Sequence, residues 1–131
     1  MEARQINERY QTIAQKLINE RKELEYIKHS NVQIICLSSD RAKKSGTGFV
    51  YGECEKVSPR YRWGIPYDFT ITIFEPNVEG LSLEQIEILM FHELLHIGIN
   101  GECYSVRKHD LEDFRTIIEL YGTDWADKKD R

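Results

Sequence analysis

A chain of 131 residues that is 40% hydrophobic and 31% charged has the composition of one globular domain, which excludes a disordered protein. Its 22 acidic and 18 basic residues give a net charge of −4, which argues against a protein that works by coating nucleic-acid phosphates. The longest aliphatic or aromatic run, Ile88 to Phe91, is too short for a membrane span or a signal peptide, so we expect a cytoplasmic protein without a membrane partner.

The N-terminal part has the apolar spacing of a long amphipathic helix. Its apolar residues recur at intervals of three, four and seven: Ile6, Tyr10, Ile13, Leu17, Leu24 and Ile27. This pattern predicts a helix from about Arg4 to Lys28 that packs one stripe on the core. A partner-binding coiled coil is the alternative, although the repeat is short for one.

The region 32–74 predicts a small sheet. The strands are expected at Val32–Leu37 and Thr47–Cys54, with a loop between them and a turn at Ser58-Pro59. The clearest strand is Asp68–Phe74, because polar and apolar residues alternate along it; Pro76 ends it.

Basic and aromatic residues cluster between Arg41 and Arg62. The cluster holds Lys43, Lys44, Lys56, Arg60 and Tyr61, with Trp63 beside it. A solvated loop and strand edge is the simpler interpretation, and a surface for an anionic partner is the alternative.

Two helices are predicted in the last third, across residues 82–122. Ser82 and Gln85 stand in capping-box positions and open a helix to about Ile97, which Gly98 and Asn100-Gly101 would stop. A C-terminal helix should run from about Asp110 to Tyr121. The order of elements predicts a single α+β domain with a small sheet beside these helices.

The segment His92-Glu93-Leu94-Leu95-His96 has the H-E-x-x-H pattern of zinc hydrolases. Residues four apart on a helix lie one turn above each other, so His92 and His96 can bind one Zn²⁺. Glu93 projects about 100° around the helix from His92 and can act as a general base on a zinc-activated water.

The rest of this helix supports the metal site. Apolar residues cover most of its circumference, while His92, Glu93, His96 and Asn100 share a sector of about 100°. Polar groups that converge on a mostly buried helix need a partner, and a metal ion provides one.

Zinc needs a third protein ligand if one position is to stay open for water. His109 is the candidate, with Glu112 and Asp113 as alternatives. Asp113, four residues after His109, could instead accept the imidazole N–H, or simply favour the start of the last helix.

Other parts of a catalytic site are less defined by the sequence. Tyr104, Arg107 and Tyr121 are candidate donors to an oxyanion. Asp68–Phe74 is a candidate edge strand that could add a peptide to the sheet. The three cysteines, Cys36, Cys54 and Cys103, form no C-x-x-C pair and are expected to be reduced thiols.

Three stretches together resemble the putative phage metallopeptidases, a small zincin-like group found in phages and prophages. They are Tyr67–Asn77, Leu89–Gly98, and Lys108–Phe114 with its continuation to Trp125. The group is similar to SprT-like proteases, which also pair H-E-x-x-H with a later histidine. The resemblance implies a minimal zincin-like fold, His92, His96 and His109 as ligands, and Glu93 as the base. The chain has no cysteine-rich zinc ribbon, so the DNA-linked targeting of SprT-like proteins is not implied.

The sequence therefore predicts a peptidase with one Zn²⁺ per chain that acts on a protein or peptide, in the host cytoplasm if a phage encodes it. The rival hypothesis is a non-catalytic, zinc-stabilised binding module that docks to a protein or nucleic acid. Hydrolysis of a non-peptide amide is a third hypothesis. Glu93 separates the first two, because a structural site has no use for an unligated carboxylate. Nothing in the sequence indicates the oligomeric state.

Overall fold

A computed structural model describes residues 2–46 and 48–108 of the chain, and these residues form an α+β fold. The described α-helices are α1 (Glu8–Glu20), α2 (Glu25–Lys28), α3 (Glu75–Val78) and α4 (Leu83–Leu95). The described strands are β1 (Arg4–Ile6), β2 (Ile34–Ser39), β3 (Lys44–Ser45), β4 (Gly48–Phe49), β5 (Gly52–Lys56), β6 (Phe69–Phe74), β7 (Ile97–Asn100) and β8 (Cys103–Val106). The expected C-terminal helix lies outside the described residues.

Four strands form the main sheet, in the order β1-β2-β6-β5. The central strands β2 and β6 are parallel, whereas β1 and β5 pair antiparallel to their neighbours. The strand predicted at Asp68–Phe74 is confirmed as β6, but it lies inside the sheet. The expectation that it is an edge strand was therefore wrong, and among the described strands β5 is the outer one beside it.

The predicted single helix from Arg4 to Lys28 is divided. Residues Arg4–Ile6 pair with β2 as β1, and Asn7 then caps α1 by accepting a hydrogen bond from the Tyr10 N–H at 3.0 Å. Arg21 is extended and ends α1, and a 3₁₀ turn connects it to α2. The apolar spacing continues through these breaks because both helices bury residues in the same core, whereas Ile6 is 61% exposed.

One face of the sheet packs against α1 and α4. Phe69, Ile71 and Ile73 of β6 point into this core, together with the apolar residues of both helices. The opposite face is covered by two cations: the Arg4 guanidinium lies 5.7 Å and the Lys43 ammonium 5.5 Å from the centre of the Phe74 ring. No described helix is long and apolar enough to cross a membrane.

Helix α4 begins as predicted. The Gln85 N–H donates to the Ser82 hydroxyl at 3.2 Å, and the Ser82 N–H donates to the Gln85 side chain at 2.9 Å. Nine of its thirteen residues are buried. The helix ends at Leu95, with His96 as its C-cap.

The expected stop signals after α4 have another role. Gly98 and Asn100 lie in β7, which forms a hairpin with β8, and Gly101 takes a left-handed φ of 64° in the turn. A non-glycine residue rarely adopts this φ, so Asn100-Gly101 marks a tight hairpin turn.

Candidate metal centre

His92, Glu93 and His96 come together at the C-terminal end of α4. One potential ligand atom from each side chain lies within 4.8 Å of those of the other two. The imidazole centroids of His92 and His96 are 5.2 Å apart, with the rings inclined by 59°. Although His96 is the helix C-cap, its backbone remains helical, so the one-turn spacing of the two histidines is kept. The C-terminus of a helix carries partial negative charge, which favours a cation here.

The hydrogen bond of His96 fixes its tautomer. Its Nδ1 lies 2.6 Å from the carbonyl oxygen of Arg107. A carbonyl can only accept, so the proton must be on Nδ1, and the lone pair of Nε2 is then available to a metal. Histidine ligands commonly donate their second ring nitrogen to a carbonyl in this way. The donor set and this bond fit a divalent metal ion such as zinc.

The hairpin β7–β8 supplies this hydrogen bond. Beyond the last pair of the ladder, Ile97 and Val106, the Arg107 N–H also donates to the His96 carbonyl at 2.5 Å. Arg107 therefore holds both the backbone and the ring of His96. The sequence interpretation missed this arrangement, although Asn100-Gly101 between two β-prone segments is a strong hairpin signal.

Glu93 is buried, with only 4% of its surface exposed. Strand β5 covers it: a Cβ placed on Gly52 would lie 3.4 Å from Cγ of Glu93 and 3.2 Å from the Thr72 carbonyl. Glycine avoids the tighter contacts that a Cβ would make with Cδ1 of Ile73 at 3.1 Å and with the Thr72 carbonyl, while Glu93 lies at an ordinary packing distance. A glycine inside a strand often marks such a close approach, so Gly52 could have been noticed in the sequence.

Cys54 lies near the same carboxylate. Burial raises the pKa of its thiol, and the negative charge of Glu93 raises it further. Burial also raises the pKa of Cys36 to about 12. The three cysteines, all of them described, are free; Cys36 is buried and Cys54 half-buried, whereas Cys103 is exposed.

The structure describes only two of the other predicted site residues, Tyr104 and Arg107. The Arg107 guanidinium lies beside the Tyr26 hydroxyl, and its backbone contacts His96. Tyr104 lines a cavity of about 410 Å³ that lies at the far end of β5, and none of the three clustered residues contributes to this cavity. Oxyanion roles for both residues stay predictions. His109, Glu112, Asp113 and Tyr121 lie outside the described residues, so the third ligand also stays a prediction.

The basic segment between Arg41 and Arg62 is partly neutralised. Arg41 pairs with Glu2, Lys43 with Glu53, and Arg62 with Asp68. Trp63 beside it is 90% exposed. The pairing reduces the positive charge available to an anionic partner, which favours the simpler interpretation as a solvated loop and strand edge.

Comparison with known proteins identifies one family. The family model described as putative phage metallopeptidase matches residues 3–130. Neither a curated protein nor a solved structure gives a significant match. The matched range includes all of the clustered side chains as well as His109.

Proposed function

The chain belongs to the putative phage metallopeptidase family, and from this premise we propose that it is a zinc-dependent peptidase. His92 and His96 hold the metal, and Glu93 is the general base. The observation that carries the proposal is the cluster at the end of α4, in which the Arg107 carbonyl fixes the tautomer of His96. Bound zinc supplies Lewis acidity, which makes water acidic enough to lose a proton near neutral pH.

Glu93 would move the protons of the reaction. Its carboxylate takes a proton from the water that attacks the peptide carbonyl, and then delivers this proton to the leaving amine. Burial under β5 keeps the carboxylate in one place beside the two histidines. The low local dielectric strengthens its interactions with charged groups.

His109 completes the metal site in this proposal. It follows Arg107 by two positions, and two residues span at most about 7 Å of chain. Because the Arg107 backbone is hydrogen-bonded to His96, the chain passes the site immediately before His109. This supports His109 over Glu112 and Asp113, which lie further along the chain.

The substrate would pair with the outer edge of β5. Tyr51 and Val57 direct their backbone hydrogen bonds inward, to Phe74 and Asp68. Because hydrogen-bonding directions alternate along an antiparallel strand, the backbone groups of Gly52, Cys54 and Lys56 point to the other side. No described strand pairs with that side. An extended peptide added there would pass beside Glu93, where Gly52 approaches it.

Metal content and one substitution test the proposal. Protein purified without added metal should contain about one zinc per chain, and His92→Ala should remove it. Glu93→Gln should keep the zinc but reduce peptide cleavage by about 10²–10⁴-fold, because the general base is lost. Glu87→Gln, on the same helix and near Lys16, is the matched control and should cleave normally.

Substrates can be found by comparing new protein N-termini in a bacterial lysate treated with either the wild-type protein or Glu93→Gln. Cleavage sites produced only by the wild type define the substrates. Equal cleavage by both proteins would refute the role of Glu93, and a wild-type protein without bound metal would refute the proposal as a whole.

A further inference from the structure

Helix α2 contacts the start of β7 through one tyrosine. The Tyr26 hydroxyl donates to the carbonyl oxygen of Ile97, the residue after His96, at 2.6 Å. Ile97 is fully buried, so this carbonyl has little access to water. A buried carbonyl without a donor costs about 1–3 kcal/mol, which makes the tyrosine a firm anchor for this end of the hairpin.

The same hydroxyl also lies near Arg107. Burial raises the pKa of Tyr26, and the nearby Arg107 guanidinium acts against this rise. The side chain reaches Tyr26 by crossing β7 at Gly98, where a Cβ would lie only 2.9 Å from Cγ of Arg107. Tyr26 therefore binds β7 at the Ile97 carbonyl and lies near the side chain of Arg107, the residue after β8, where the two strands meet His96.

These contacts lead to the imidazole of His96. The Arg107 backbone accepts from Nδ1 of His96 at 2.6 Å and donates to its carbonyl at 2.5 Å. Movement of Arg107 would change the direction of this ring and of its Nε2. Building on the function proposed above, we propose that Tyr26 is a positioning residue for the metal site, which orients His96 through Arg107.

Metal affinity tests this role directly. The dissociation constants for Zn²⁺ and Co²⁺ would be measured by competition with a chromophoric chelator, using the whole chain. Loss of groups that orient a metal ligand typically weakens binding about 10–100-fold, and we expect Tyr26→Phe to fall in this range. The Co²⁺ absorption spectrum should also change, because it depends on ligand geometry.

Tyr10→Phe is the matched control. Tyr10 is a buried tyrosine, whereas Tyr26 is partly buried, and the Tyr10 hydroxyl donates to Glu75 at 2.8 Å, a residue outside the His-Glu-His cluster. Both substitutions remove one hydroxyl that makes a partly buried hydrogen bond, so both would lower thermal stability. Only Tyr26→Phe should change metal affinity and the Co²⁺ spectrum. A purely structural role for Tyr26 would make the two variants behave alike and would overturn the inference.

Arg107→Met provides the second test. Arg107 is exposed, so this variant should fold even if Tyr26→Phe does not. It keeps the backbone carbonyl but loses the contact with Tyr26, and should also weaken metal binding. The double variant should lose no more metal affinity than the single variant that binds metal more weakly. The two substitutions remove the same contact, so their effects should not add. The inference would be overturned if Arg107→Met bound metal with wild-type affinity, or if the two substitutions caused additive losses of metal affinity. The proposed function would still stand in either case. A wild-type protein that binds no metal would defeat both.

Discussion

Gly98→Ala tests whether the hairpin β7–β8 positions the metal site. The alanine Cβ would lie 2.7 Å from the Ser105 hydroxyl oxygen, 2.9 Å from Cγ of Arg107 and 3.2 Å from the Ser105 carbonyl. The hydroxyl can rotate away. Carbon atoms pack at about 3.5–4.0 Å, so Cγ of Arg107 would have to move away from the new Cβ by about 0.6–1.1 Å.

If the Arg107 backbone moves with its side chain, that displacement is enough to break the contact with His96. The bond from Nδ1 of His96 to the Arg107 carbonyl is 2.6 Å long. An equal shift would lengthen it to about 3.2–3.7 Å, at or beyond the limit of a hydrogen bond. We expect the free energy of unfolding to fall by about 1–3 kcal/mol, and metal affinity to fall about 10–100-fold.

Thermal unfolding and chelator competition would measure the two effects. Gly64→Ala is the matched control, because a Cβ there meets nothing within 4 Å and Gly64 does not have a left-handed φ. It should change the free energy of unfolding by less than about 0.5 kcal/mol. Wild-type metal affinity in Gly98→Ala would refute the reasoning, as would equal damage in the two variants.

Two further predictions concern the stability of the fold. Ser82→Ala removes the capping box of α4 and should lower the free energy of unfolding by about 1 kcal/mol in urea titrations. If the variant and the wild type unfolded at the same urea concentration, the cap would not be needed for stability. Burial of Glu53 acts to raise its pKa, but Lys43 and Arg4 outweigh it and hold the pKa below the ordinary value of 4.5. A lowered folded-state pKa stabilises the protein at neutral pH, and this contribution is lost as the pH falls below 4.5. Glu53→Gln should therefore be less stable than the wild type at pH 7, with a difference that shrinks in acid; a constant difference would contradict the ion-pair account.

The sequence predicted those features that depend on local patterns. Helix α4 was located because Ser82 and Gln85 form a capping box within one turn, and β6 because its alternation is strict. The grouping of His92, Glu93 and His96 follows from helix geometry alone. Each of these predictions depends on residues a few positions apart.

The errors have physical causes. Apolar spacing could not reveal the break at Arg21, because the residues on both sides face the same core. It could not reveal the break at Asn7 either, because Ile6 fits the spacing although it is exposed in β1. The position of β6 inside the sheet depends on pairing with distant strands, which no local pattern encodes. Asn100-Gly101 fits both a helix stop and a hairpin turn, and only the pairing of β7 with β8 distinguishes them.

The parallel pairing of β2 and β6 has a consequence for how the chain acquires its structure. Ile34 pairs with Phe69, 35 positions later, and this contact joins the two central strands. Contacts between distant positions slow folding, because a long loop must close before they can form. During synthesis, β1, α1 and β2 leave the ribosome well before β6. Until β6 is made, the apolar surface of these elements would stay exposed to chaperones and proteases.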